Sequence, residues 1–352
     1  MSPLKIFFDV QQLYYLPQYL PVYEELTRRG ISCLFVLHDQ EQISGQLKGL
    51  KDTGKWPVVI LKSSEVHEFY LKEGPDWVVF GNHSPFQDKL PTKTRTALLY
   101  HGIGIKECYY ESRLAQMSVR FVEGPYRLRE LQRRFPSSTF VDVGFPKLDP
   151  LFKNEERPRT NNKRPTILYA PTFYPSSIEL MPKNWPALFF DCDILIKPHF
   201  FSMTMKNYQK QRHLLESWAK QYPNVTLASI QDFSLVPYME RSDILISEAS
   251  SALFEFAALD RPVIWLDFFK LRWTYRGPLR FRHTRRMDNT ILQYADIAEH
   301  VKYPSDLEKN VRQEINNPNR LSDKRIAYTE LLIGQTDGRV SNRIADYLLF
   351  IA

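Results

Sequence analysis

Short apolar runs separated by amphipathic stretches recur along almost the whole chain. Seven occur in the first half, at residues 6–10, 33–37, 58–61, 77–80, 97–100, 119–122 and 140–143, rich in Val, Ile, Leu and Phe. Runs this short, bounded by polar residues, predict buried strands. Helical spacing lies between some of them: one stretch runs through Tyr23 and stops at Gly30, and others cover 65–72 and 126–135. Strands alternating with helices predict a doubly wound parallel sheet, which binds ligands at the C-terminal ends of its strands.

The polar stretch 153–165 has no apolar residue and carries two prolines, which marks it as a linker. The pattern then restarts, with strands predicted at 166–169, 194–196, 225–228, 244–246 and 263–266. Helices are predicted at 208–221, 233–239, 252–259, 291–301, 307–315 and 338–352. The expected organisation is an N-terminal α/β domain over 1–152, the linker, and a second α/β domain over 166–336. A C-terminal helix over 337–352 is expected to pack back on the first domain. Two such halves would face each other across a central cleft.

The segment 242–267 is the most informative in the chain. It reads as strand, polar turn, helix and strand, a parallel crossover. Ser250 and Ser251 open the helix, where unpaired N–H groups and the helix dipole favour a phosphate. Glu255 is the only charge in the otherwise apolar stretch 252–259, so it should be paired or face a ligand. A capping box would need Glu or Gln three residues after the serine, where Leu253 and Phe254 stand. The bland alternative is capping by Ser251, with Glu255 held by a nearby arginine.

Two further strand ends carry candidate chemistry. His101-Gly-Ile-Gly-Ile-Lys106 follows the run 97–100, so His101 is a candidate general base and Lys106 a phosphate contact. Lys197-Pro-His199 follows the strand near 196 and offers a cation and an imidazole donor to a diphosphate. Thr172, after Leu168-Tyr-Ala-Pro, could donate to a phosphate oxygen. Gly144-Phe-Pro-Lys-Leu-Asp149 reads as architectural. No Ser/His/Asp triad, Walker loop, paired metal carboxylates or GxGxxG is read in the chain, so neither a metal nor a cofactor is expected.

Composition narrows the setting. Cys33, Cys108 and Cys192 are scattered and should be reduced thiols, two of them buried, as in a cytoplasmic protein. The chain goes directly from Met1 into a strand without the pattern of a signal peptide, and no run is long enough for a membrane helix. A net charge of +7 points to anionic partners, yet no nucleic-acid motif is present. The densest basic stretch, 268–287, includes Lys270, Arg276, Arg280 and Arg285 among aromatic residues. That mixture suits a phosphate-rich acceptor or peripheral contact with an anionic membrane face.

Six of these segments, in order, resemble motifs of the CDP-glycerol glycerophosphotransferases, makers of teichoic-acid-type polymers. His101 to Lys106 resembles their His-Gly-Thr-Pro-x-Lys, and Gly144 to Asp149 their Gly-x-Pro-Arg-x-Asp. Leu168 to Thr172 is similar to their Leu-Tyr-Ala-Pro-Thr, and Lys197-Pro-His199 to a Lys-x-His element. Asp243 to Glu255 resembles their Asp-x-Leu-Ile-Thr-Asp-Tyr-Ser-Ser-x-x-Phe-Asp, and Asp337-Gly-Arg-Val-Ser-Asn-Arg343 their Asp-Gly-x-x-Ser-x-Arg. The resemblance implies a GT-B fold of two Rossmann-like domains and transfer of polyol phosphate from CDP-glycerol or CDP-ribitol, with CMP released. The acceptor would be a phosphorylated or lipid-linked glycan at the inner membrane face. His101 would then be the base, His199 and Lys197 would stabilise phosphates, and Ser250 and Ser251 would hold them. Glu255 would face the ribose, while Lys106, Arg276 and Arg280 would contact acceptor or phosphate. The departures at Ile103, Gly104, Glu248, Ala249 and Glu255 leave a nucleotide-sugar glycosyltransferase or epimerase as the alternative.

Overall fold

The computed structural model describes residues 4–103, 107–152, 162–271, 277–280 and 290–350, without the side chains of residues 42, 279 and 280. Residues 1–102, 109–156 and 331–352 form one compact unit, and residues 103–108 and 157–330 a second.

The first unit is built on seven parallel strands in the order β3-β2-β1-β4-β5-β6-β7. They are β1 (Lys5–Val10), β2 (Ser32–Asp39), β3 (Val58–Lys62), β4 (Trp77–Phe80), β5 (Arg95–Leu99), β6 (Val119–Val122) and β7 (Phe140–Asp142). All-parallel strands are covered on both faces, hence the near-continuous apolar runs. One face packs Phe7, Val36, Val78, Phe80 and Leu98 against Tyr70 and Phe86. The helices between strands include α1 (Leu16–Arg28), α2 (Ser44–Asp52), α3 (Val66–Glu73) and α4 (Gly124–Arg134). α1 starts well ahead of Tyr23 and takes in Pro17 and Pro21. Pro17 stands in the first turn, where its missing N–H costs nothing, and Pro21 is buried. α2 had no predicted counterpart because it buries only Leu47.

The second unit has six parallel strands in the order β10-β9-β8-β11-β12-β13. They are β8 (Thr166–Tyr169), β9 (Asp193–Ile196), β10 (Val225–Leu227), β11 (Ile244–Ser247), β12 (Val263–Leu266) and β13 (Glu299–Val301). Its helices are α5 (Phe200–Thr204), α6 (Gln209–Gln221), α7 (Val236–Arg241), α8 (Ser251–Ala257), α9 (Leu307–Asn316) and α10 (Ser322–Leu332), whose last two residues belong to the first unit. Its core contains Ile167, Tyr169, Ile194, Ile244 and Ile264, with Trp185 and Trp218 packed edge to face at 5.8 Å.

One predicted element is wrong. The stretch expected as a single helix over 291–301 is a 3-10 turn at Ile291–Ile297 followed by β13. Ile297 and Val301, four residues apart, imitate a helical repeat, but β12 offers an open ladder edge. Pairing there, with Val301 opposite Leu266, satisfies backbone groups a helix would leave to solvent.

The last helix, α11 (Val340–Phe350), belongs to the first unit and packs on α1. Two glycine motifs fasten it. Asp149 Oδ1 accepts the Val340 N–H at 3.1 Å, and Oδ2 accepts the N–H and hydroxyl of Ser341, both at 2.7 Å. The Arg343 guanidinium bridges the Val143 carbonyl (2.9 Å) and the Asp337 carboxylate (2.7 and 3.2 Å). Gly338 has φ +70°, and a Cβ there would stand 2.3 Å from the Phe152 carbonyl oxygen. Trp77 Nε1 also donates to the Leu348 carbonyl at 3.1 Å.

Candidate active site

Strand order places the two candidate sites. In the second unit the chain leaves β8 toward β9 on one side and β11 toward β12 on the other, so the switch point lies between β8 and β11. Thr172 follows β8, and Ser250 and Ser251 follow β11, so they flank this point. Lys197 and His199 follow the neighbouring β9. The structure thus brings five of the candidate residues to one edge of one sheet.

The loops at this edge are fixed by a residue that stands out in the sequence only as a departure from the family motif. Glu248 is wholly buried and receives three hydrogen bonds: from the Thr172 N–H (2.8 Å), the Ser177 N–H (2.6 Å) and the Ser177 hydroxyl. Burial pushes its pKa above the ordinary carboxyl value, opposed by those donors. Tyr169 Oη lies 2.7 Å from the Ser177 hydroxyl and completes the network. An acidic residue directly after a buried strand was the available signal. Ser247 donates to the Ala170 carbonyl at 2.7 Å. Its oxygen therefore accepts from the Ser250 hydroxyl, 3.1 Å away.

Ser250, not Ser251, occupies the N-cap position of α8, and its side chain makes no cap hydrogen bond. Glu255 of α8 is 0 % exposed. The Thr172 hydroxyl, expected to donate to phosphate, donates to the Pro175 carbonyl. His199 caps α5: its Nδ1 accepts the Phe201 N–H at 3.1 Å. A backbone N–H can only donate, so a neutral His199 carries its proton on Nε2.

In the first unit the switch point lies between β1 and β4. Gly81 follows β4, and its carbonyl oxygen is 3.2 Å from Nδ1 of His101, which follows β5. A carbonyl only accepts, so a neutral His101 carries its proton on Nδ1 and its lone pair on Nε2. The imidazole is half-buried between the rings of Tyr15 (4.7 Å) and Tyr100 (4.6 Å), with Tyr14 edge-on at 5.0 Å. Gly81 makes this stack possible, since a Cβ would meet the Tyr15 ring at 2.5 Å. Burial pushes the Tyr14 hydroxyl up to about 12, so it stays protonated.

Lys106 and Arg276 lie outside the described residues, as do the side chain of Arg280 and most of the basic stretch 268–287. No group of His, Cys, Asp and Glu among the described residues could hold a metal ion.

Residues 120–350 match the family model of CDP-glycerol:poly(glycerophosphate) glycerophosphotransferase, about two thirds of the chain. The chain belongs to this family. It is a CDP-glycerol glycerophosphotransferase-like enzyme, and its fold is GT-B. Among solved structures, a variant of the wall teichoic acid polymerase TagF soaked with CDPG is similar with a TM-score of 0.69 and 13 % identity. That match covers 100 % of this chain and 89 % of that one. The UDP-GlcNAc 2-epimerase of Neisseria meningitidis bound to UDP-GlcNAc has a TM-score of 0.61 and 14 % identity, over 99 % of this chain and 100 % of that one. A putative UDP-N-acetylglucosamine 2-epimerase of Listeria monocytogenes has a TM-score of 0.63 and 12 % identity, over 97 % and 95 %. No curated protein matches the chain in sequence. At these identities the structural likeness carries the fold alone. No described helix is long and apolar enough to cross a membrane.

Proposed function

We propose that the enzyme transfers glycerol phosphate or ribitol phosphate from a CDP-polyol to a hydroxyl of a cell-surface glycan or lipid-linked acceptor, releasing CMP. The observation that carries the reading is the opposite tautomers of the two strand-end histidines. His101, its proton fixed on Nδ1 by Gly81, offers an Nε2 lone pair to the acceptor hydroxyl. His199, its Nδ1 occupied by the Phe201 N–H, offers an Nε2–H donor to a phosphate oxygen.

The acceptor oxygen attacks the β-phosphorus as its proton passes to His101. The bond from that phosphorus to the bridging oxygen breaks, and CMP leaves with the electron pair. Lys197 and the His199 donor balance the charge developing on the phosphates. The uncapped start of α8, with Ser250 and Ser251, holds phosphate, and the loop pinned by Glu248 sets Thr172 beside it. Glu255 is assigned to the ribose. Lys106, Arg276 and Arg280 are assigned to the acceptor's phosphates or to an anionic membrane surface, in keeping with an enzyme that works at the inner membrane face. Membership of the family supports the donor class.

The test is transfer from CDP-glycerol, CDP-ribitol and UDP-GlcNAc, combined with thermal shift. Native enzyme should be stabilised by the CDP-polyols, and His101→Ala should lose about 100-fold or more in transfer while still binding CDP. Stabilisation by UDP-GlcNAc alone would sink the reading. Glu255→Gln should raise the donor KM, and an unchanged KM removes that residue from the site.

A further inference from the structure

A second constellation in the first unit takes no part in this chemistry. Asp9 stands near the end of β1 and His38 near the end of β2, 0 % and 6 % exposed. His38 Nε2 lies 2.9 Å from Asp9 Oδ2. Its other ring nitrogen, Nδ1, lies 3.2 Å from the Oγ of Ser63, which is exposed on the turn between β3 and α3. Tyr70 of α3 donates to the same Asp9 oxygen at 2.8 Å, and Tyr19 donates to the Asp9 carbonyl at 3.1 Å.

The hydrogen-bond directions follow from the groups. An ionised carboxylate only accepts, so His38 Nε2 carries the proton. A neutral ring then has its lone pair on Nδ1, and the Ser63 hydroxyl must donate to it. An exposed hydroxyl is thus backed by an enclosed imidazole, which is oriented in turn by an enclosed carboxylate. This is the arrangement of an activated nucleophile. The linear sequence conceals it, because the three residues lie on three different strands or turns.

We propose that Ser63 is a nucleophile activated by His38 and oriented through Asp9, which takes the acyl group of a carboxylic ester and passes it to water. Ser63 Oγ attacks the carbonyl carbon while its proton moves to His38 Nδ1. The bond to the alcohol oxygen breaks, and that oxygen takes the proton. Water, deprotonated by the same nitrogen, then displaces the acid and restores the Ser63 hydroxyl. Asp9 remains an anion throughout and stabilises the transient imidazolium. Two features favour an ester. The relay is uncharged at its reactive end, which suits a neutral carbonyl better than a phosphodiester. In addition, α3 begins three residues after Ser63 with no side-chain cap, although Ser63 and Ser64 precede it. The Ser63 hydroxyl is committed to His38, which leaves first-turn N–H groups to take up negative charge on the carbonyl oxygen.

The experiment is reaction of the full-length native protein with an alkyl fluorophosphonate, followed by intact mass and sequencing of the tryptic peptide 63–72. One adduct, localised to Ser63, is expected. Ser63→Ala should abolish it, His38→Gln should slow it about 100-fold, and His101→Ala should leave its rate unchanged. No adduct in the native protein, an equal rate in Ser63→Ala, or an equal rate in urea-unfolded protein overturns the proposal. Ser63→Ala alters only an exposed side chain, so it decides the matter even where His38→Gln fails to fold. Because His101 is not involved, failure here and failure of the transferase reading are separate results.

Discussion

At the scale of single residues, hydrogen-bond direction is more informative than residue type. His101 and His199 both follow strands, yet their backbone partners fix opposite tautomers, one an acceptor and one a donor. Glu248 is as strictly constrained. Both of its oxygens accept, so a glutamine in either orientation turns an amide N–H toward a backbone N–H. Glu248→Gln should therefore cost about 1–3 kcal/mol of stability in urea unfolding and raise the donor KM. His300 supplies a pH signature. Burial alone would lower its pKa, but the hydrogen bonds it donates to Asp267 (2.9 Å) and the Ala295 carbonyl (3.0 Å) outweigh that and raise it above 6.5. A pKa raised by folding means a contribution fully present below 6.5 and lost as pH climbs through the raised value. The Tm gap between native protein and His300→Gln should thus be widest near pH 6 and close at alkaline pH. A gap that widens with pH would contradict this.

Among the elements, α11 is held by the two glycine motifs that resemble family signatures, which act as one clasp. Gly338 combines a positive φ with a carbonyl in the space of a side chain, whereas Gly54 has φ +62° and nothing within 4 Å. Gly54→Ala should cost only backbone strain, about 1–2 kcal/mol. Gly338→Ala should cost clearly more in the same urea titration, and equal costs would mean that Phe152 yields freely. Asp149→Asn, which presents an amide to the Ser341 and Val340 N–H groups, should expose α11 to proteolysis before the rest of the unit. β13 shows the opposite relation between sequence and element. Its local pattern favoured a helix, and the open edge of β12 decided otherwise.

For the whole molecule, each sheet reverses its winding once, and in the second unit Thr172, Ser250 and Ser251 flank that point. That predicts a localised response to ligand. Saturating CDP-glycerol at 100 times its Kd should stabilise the protein by about 2.7 kcal/mol. Protection from amide exchange should concentrate at residues 170–178 and 247–252, at the exits of β8 and β11. Protection confined to the exits of β1 and β4 would move the donor to the first unit.

Twelve of the thirteen strands were legible in the chain, because a parallel strand buried on both faces needs a short, unbroken apolar run, and such runs are local. The polar residues at strand ends were legible for the same reason. His101, Lys197, His199, Ser250 and Ser251 each sit in the few residues that follow a run that had to be a strand. Only the tertiary structure decided what those residues do. The Gly81 carbonyl that sets the His101 tautomer is 20 residues away, and the Ser177 donors on Glu248 are 71 away. Ser63, His38 and Asp9 meet because β3, β2 and β1 stand side by side. Periodicity records which faces are buried, whereas the partner of a buried polar group depends on strand order, which no local window contains.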